Sequence, residues 1–219
     1  MSRWEIRLSG FGGQGVVSAG YIIAKAAALY VEGKDAVLYQ SYGPEKQGGW
    51  ARADVVVADG EVDYPLVGAP DIFIAMSQDG FDRDAASARP DATILIDERL
   101  VDVREQGSMG AGERGSKGAG GHGSWEAGEK GDKGAHLLTP APRHPGTRAQ
   151  IFAIPATEAA EALGRRVVAN IVMLGAFTVL TGIVTPESME RAILETVPKG
   201  TEELNAQAFQ RGMALADGG

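Results

Sequence analysis

Four glycines crowd into the seven residues Ser9-Gly10-Phe11-Gly12-Gly13-Gln14-Gly15, and the flanking sequence leaves few folds open. Ahead of them Trp4, Ile6 and Leu8 alternate as in a strand. Behind them Val16 to Tyr30 is an alanine-rich apolar run of helical length. A strand that feeds a helix through a glycine turn opens an α/β unit, and glycine there lets the backbone approach a ligand closely. The following helix presents unpaired N–H groups and a partial positive charge, suited to a phosphate. Gly10, Gly12 and Gly15 satisfy the spacing G-x-G-x-x-G. The same glycines would also serve a turn that only lets helix pack on sheet, and spacing alone does not separate the two. A dinucleotide site would further need an acid ending the second strand. That strand ends at Gln40-Ser41, and Glu32 and Asp35 precede it.

The rest of the chain extends the α/β pattern. Val37 to Tyr39, Ala53 to Ala58, Ile72 to Met76, Thr93 to Ile96 and Ile151 to Ile154 read as strands, and Asp79 to Ala88 as a helix. From Ala156 onward the reading is mainly helical. The expected fold class is α/β: a three-layer α/β/α arrangement around a mostly parallel sheet. Ala53 to Ala58 follows the second strand too closely for a helical crossover, which makes a mixed sheet an open alternative. Thr185-Pro186-Glu187 and Thr201-Glu202-Glu203 carry helix-start signals. Asn170 is read either as a helix N-cap or as a buried polar group facing a site, the cap being the plainer choice. Met173, Phe177 and Leu180 fall on one helical face and are assigned to the core.

One stretch breaks the pattern. Eleven of the 31 glycines lie between Gln106 and His136, a segment without Val, Ile, Leu or Phe. It cannot bury enough apolar surface to offset its ordering entropy, so a disordered insertion at about 106–136 is expected within a single domain spanning 1–219. The three histidines, His122, His136 and His144, lie in or beside it and are expected to have no role.

A second glycine-bearing segment, Gln40-Ser41-Tyr42-Gly43-Pro44-Glu45-Lys46-Gln47-Gly48-Gly49-Trp50, follows the second strand. If the strands are parallel it shares the carboxyl edge of the sheet with the first loop, where ligands of such folds bind. Ser41 and Tyr42 bring hydroxyls, Glu45 a carboxylate, Gly48 and Gly49 room for close approach, and Trp50 an anchor for a partner. A plain connection is the competing reading.

Several functions are excluded. With no cysteine, this chain cannot hold an iron–sulfur cluster through thiolates, form a disulfide or use a cysteine nucleophile. A net charge of −8 disfavours a general nucleic-acid surface. No G-x-S-x-G, H-E-x-x-H or Walker lysine occurs, and no metal site is expected. No apolar run is long enough for a signal peptide or a membrane span, so a soluble cytoplasmic location is expected. What remains is a ligand edge or interface without evident catalytic machinery.

The combination SGFGGQG with QSYGPEKQGG, followed by a β-branched strand, resembles the gamma subunit of 2-oxoacid:ferredoxin oxidoreductases, closest to the 2-oxoglutarate branch. The pyruvate branch reads more like GRGGQG. ANIVMLGAF near the C-terminus is similar too. The resemblance implies an α/β subunit that holds no cofactor of its own. Its partners would be alpha and beta subunits and a small ferredoxin-like subunit. Thiamine diphosphate, Mg2+ and iron–sulfur clusters would lie in those chains, and coenzyme A would be co-substrate. It implies no catalytic residue here. The site or interface residues it carries over are Gly12, Gly13, Gln14 and Gly15 with Ser41, Tyr42, Gly43, Pro44 and Glu45. Gly10, Gln47, Gly48, Gly49 and Asn170 join them from the reading of the residues. The family usually has arginine before the Gly-Gly pair; Gln47 stands there in this chain, without the charge and planar fork. The alternatives are the small subunit of an indolepyruvate or other 2-oxoacid enzyme, and a free-standing dinucleotide-binding oxidoreductase.

Overall fold

A computed structural model describes residues 2–44, 49–103, 136–138 and 149–218. The opening strand and helix form as the pattern requires: β1 spans Arg3–Phe11 and α1 Val16–Tyr30. The second strand is much longer than expected. β2 runs Lys34–Tyr42 and pairs along its whole length with β3, Trp50–Asp59, as an antiparallel hairpin. Pairing rather than propensity extends it, because Lys34, Asp35, Gln40 and Ser41 are tolerated on an edge strand with one open side.

The remaining elements are β4 (Ile72–Ala75), α2 (Gln78–Asp84), β5 (Thr93–Asp97), β6 (His136–Leu138), β7 (Gln150–Ile154), α3 (Ala156–Ala162), α4 (Ala169–Thr181), α5 (Pro186–Leu194) and α6 (Glu202–Asp217). Among the described residues, seven strands form one sheet in the order β2-β3-β1-β4-β5-β7-β6. β3 pairs antiparallel with both β1 and β2, and β6 antiparallel with β7, while β1, β4, β5 and β7 pair parallel. The sheet is therefore mixed. β6 was not anticipated: the glycine-rich insertion was expected to reach His136, but that residue begins the strand. The insertion from Gln106 to Ala135 lies outside the described residues.

Apolar side chains leave both faces of the central strands. Ile72 and Ile74 of β4 join the larger core with α1 and the C-terminal helices, while Phe73 and Ala75 join a smaller one with Phe81 of α2. α4 is buried all round, not along one stripe: every residue from Ala169 to Thr178 is buried. Met173 and Phe177 are core as expected, whereas Leu180 is only partly buried. Thr185 caps α5 by accepting the Ser188 N–H at 3.2 Å. Thr201 does not cap α6 through its side chain; its hydroxyl donates to the Pro198 carbonyl instead.

Candidate functional site

The two glycine loops lie on one rim. In the register Gly10 faces Ala51, which faces Tyr42, so the ends of β1 and β2 are level on either side of β3. The Gly12 N–H donates to the Gly49 carbonyl at 2.8 Å and ties the loops together. Ser41 and Tyr42 sit in the strand rather than in a loop, and Tyr42 is exposed with its hydroxyl donating to Gln40 Oε1. Gly43 donates to the Trp50 carbonyl and Pro44 is exposed at the described end of the strand. Trp50 is half-buried, with the Arg83 guanidinium 4.5 Å over its ring, so it is not a free anchor. Glu45, Lys46, Gln47 and Gly48 lie outside the described residues.

The side chain of Gln14 closes the first loop. Its Oε1 accepts the Phe11 N–H and its Nε2 donates to the Met76 carbonyl, both at 2.6 Å. Both ends of the amide are thus spent on holding the loop to the end of β4. Gly13 and Gly15 have φ of 94° and 74°, the left-handed region. Gly10 is needed for space, since a Cβ there would meet Gln14 Oε1 at 2.6 Å and Val16 at 2.7 Å.

Asn170 is not the cap of α4. A 3-10 turn over Arg166–Val168 starts the helix one residue before it, leaving Asn170 inside the first turn and 7% exposed. Its Nδ2 donates to the Gly15 carbonyl at 3.2 Å. The loop and α4 are thereby latched across 155 residues of sequence. A Cβ on Gly15 would lie 2.3 Å from that nitrogen. Gly15→Ala should therefore cost roughly 2–4 kcal/mol, from left-handed strain plus the displaced latch. Gly13→Ala should cost about 1 kcal/mol, for strain alone, since nothing lies within 4 Å of its Cβ. Urea unfolding of the two variants checks this; equal losses would mean that the Asn170 contact does not matter.

Two clefts open beside the latch. One, of about 270 Å³, lies between Gly13, Gln14 and Met76 on one side and Thr157 and Arg166 on the other. The second, of about 280 Å³, lies between Gly15 and Ser18 of α1, Arg165 and Asn170, and Leu204 and Asn205 of α6. Val167 borders both and is exposed. Behind the first, Asp97 is fully buried and accepts from Thr157 Oγ1 at 2.6 Å and from the backbone N–H groups of Thr157 and Arg99. Burial pushes its carboxyl above the ordinary range, opposed by those hydrogen bonds and by the nearby charge of Arg166. Arg165, Arg166 and Thr157 escaped the sequence reading; the only available signal was a pair of arginines in an acidic chain just ahead of an apolar helix.

Residues 5–215 match the pyruvate ferredoxin/flavodoxin oxidoreductase family. The chain belongs to this family. Among its relatives, the 2-oxoglutarate synthase subunit KorC of Methanocaldococcus jannaschii is 40% identical over 98% of this chain and 94% of its own length. KorC of Methanothermobacter marburgensis is 39% identical over 97% of this chain and 96% of its own. The crystal structure of the gamma subunit of a keto/oxoacid ferredoxin oxidoreductase from Geobacter sulfurreducens superposes with a TM-score of 0.72 at 34% identity, covering 100% of this chain and 98% of that one. The α/β architecture is thus that of a family gamma subunit. Among the described residues of this family member, no helix is long and apolar enough to cross a membrane.

Proposed function

We propose that this chain is the gamma subunit of a 2-oxoglutarate:ferredoxin oxidoreductase, and that it contributes to the coenzyme A site without catalysing the reaction itself. In that reaction 2-oxoglutarate and coenzyme A become succinyl-coenzyme A and carbon dioxide while two electrons pass to ferredoxin. The observation that carries the reading is the near full-length identity to KorC subunits. The rim supports it, because the glycine loop, the two clefts and the two arginines that line them offer an anionic ligand a place. Thiamine diphosphate, Mg2+ and clusters belong on this reading to those other subunits, which would bring the bond-breaking and electron-transfer chemistry. The dinucleotide alternative is poorly served by the topology, because β1 has antiparallel β3, not a second parallel strand, on the side where a ribose acid would stand.

The test is reconstitution. Candidate alpha and beta chains from the same genome are purified with and without it, and coenzyme A-dependent reduction of ferredoxin or methyl viologen is measured. Activity is expected only with this chain present, and at least tenfold higher kcat/KM for 2-oxoglutarate than for pyruvate or indolepyruvate. Full activity without it would end the subunit reading, and a preference for indolepyruvate would move it to the neighbouring branch.

A further inference from the structure

We infer that two copies of this chain pair through β2, edge to edge about a two-fold axis, and so join their sheets into one. The inference goes beyond the function proposed above and does not depend on it.

β2 is the outermost strand at one end of the sheet and holds nine residues in unbroken register on β3. Its other side has no partner strand among the described residues. An edge of this kind is normally guarded by a short strand, a proline, a bulge or a row of charges. The opposite end of the sheet is guarded by length, since β6 spans three residues. β2 has none of these guards. It contains no proline and no bulge, and no residue from Ala36 to Tyr42 is charged. The two charges at its start are turned to other work. Lys34 donates to Asp59 at 2.9 Å and lies 4.0 Å over the Trp4 ring. The carboxylate of Asp35 accepts the backbone N–H groups of Ala36 and Val62.

The strand is complementary to itself, which selects a second copy as the occupant. The antiparallel register that uses the whole of Lys34–Tyr42 puts the axis at Leu38. Leu38 then faces Leu38 of the other copy, Val37 faces Tyr39, Ala36 faces Gln40, Asp35 faces Ser41 and Lys34 faces Tyr42. Val37 with Tyr39 is a favoured β-branched and aromatic pair, formed twice, and no like charges oppose each other. Two chains of net charge −8 repel over most of their surface and can meet closely only where acids are absent, as they are from Ala36 to Tyr42. The helix above the strand agrees. A Cβ on Gly20 of α1 would lie 3.3 Å from Leu38 Cδ1, so α1 crosses the strand at the axis. Tyr21, next round the helix, is exposed and would meet the other copy over one face of the joined sheet, while Tyr39 does so on the other. Tyr21, Tyr39 and Tyr42 are three of the chain's five tyrosines, all exposed at this edge, and tyrosine is enriched in the cores of interfaces.

The test is sedimentation velocity of the full chain between about 1 and 100 µM, where a pairing of this size should show twice the mass of one chain. Tyr39→Lys and Val37→Glu should each raise the dimer Kd about a hundredfold, because the two-fold axis counts every substitution twice. Mixing the two variants should restore the dimer, because in the mixed pair the new lysine lies directly opposite the new glutamate. Hydrogen exchange of the wild-type β2 amides gives a second reading that needs no variant: protection should rise with protein concentration. A monomer at every concentration overturns the inference, whether β2 exchanges freely or is protected by its own chain. A dimer that both variants leave intact, or a mixture that stays monomeric, overturns it as well. The gamma-subunit reading stands or falls separately, by reconstitution.

Discussion

Gly212→Ala is expected to abolish the fold of the C-terminal helices, with a stability loss on the order of 4–5 kcal/mol. α4 and α6 cross with backbone against backbone. A Cβ on Gly212 would stand 1.9 Å from the Val172 carbonyl oxygen, and one on Gly175 would stand 2.3 Å from the Phe209 carbonyl oxygen. Backbone atoms inside two packed helices cannot rotate away as a side chain can. The helices must part, and parting them uncovers Phe177 and Phe209, both fully buried. Gly218→Ala is the control, since its Cβ would meet nothing closer than the Ala214 carbonyl at 3.6 Å. Urea midpoints separate the outcomes. A Gly212→Ala protein within 1 kcal/mol of wild type would mean that the helices are not held this close.

The strand–turn–helix opening was legible because its signals are local. Glycines at Gly13 and Gly15 occupy positive φ, and apolar alternation at Ile6 and Leu8 points into one core. Level placement of the two loops was also readable, although the reason differs in part. They share a rim because β2 runs in the same direction as β1 with β3 threaded between them, not because β1 and β2 are neighbours. Where the sequence left two readings, a nonlocal contact decided. Asn170 is the buried polar group and not the plainer cap, because Arg166–Val168 already winds the chain and turns its amide toward Gly15. α4 reads as amphipathic only until α1, α3, α5 and α6 close round it. Arg165 and Arg166 carried no motif at all, and only the fold brings them to the two clefts.

On the second face of the sheet the apolar core is confined to β4, β5 and β7, and a buried cluster of charges takes its place at β1 and β3. Arg7 of β1 lies 5% exposed and Asp54 of β3 4% exposed. Alternation hides this, since Ile6 and Leu8 account for the pattern on the other face while Arg7 and Ser9 point away from it. The charges form a connected set. Arg7 grips Asp54 with two hydrogen bonds of 2.8 and 3.0 Å and also donates to Ser87 and the Val67 carbonyl. Arg52 spans Asp54 and Asp84, and Ser9, which leads into the glycine loop, donates to Asp84 at 2.6 Å. The rim of the site is thus braced from below by ion pairs and not by side-chain packing alone.

Asp54→Ala should therefore cost about 3–5 kcal/mol, because it strands the Arg7 guanidinium in a site that water does not reach. The loss is not the worth of the pair. Two charges removed from water gain little over well-packed hydrocarbon, so Arg7→Met with Asp54→Leu should recover most of the stability. Arg7→Lys should fall between, keeping the charge but losing the two-pronged grip and the reach to Ser87. Arg52 sharpens the expectation: its Nε is buried without a hydrogen-bond partner, so losing Asp54 leaves its charge facing Asp84 alone. Denaturation of the wild type, Arg7→Met, Asp54→Leu and the double variant in a double-mutant cycle gives the coupling directly. Raising salt should change it little, since a pair this far from solvent is poorly screened. An Asp54→Ala loss below 1 kcal/mol, or a coupling that disappears in high salt, would place the pair at the surface energetically and remove the brace under the glycine loop.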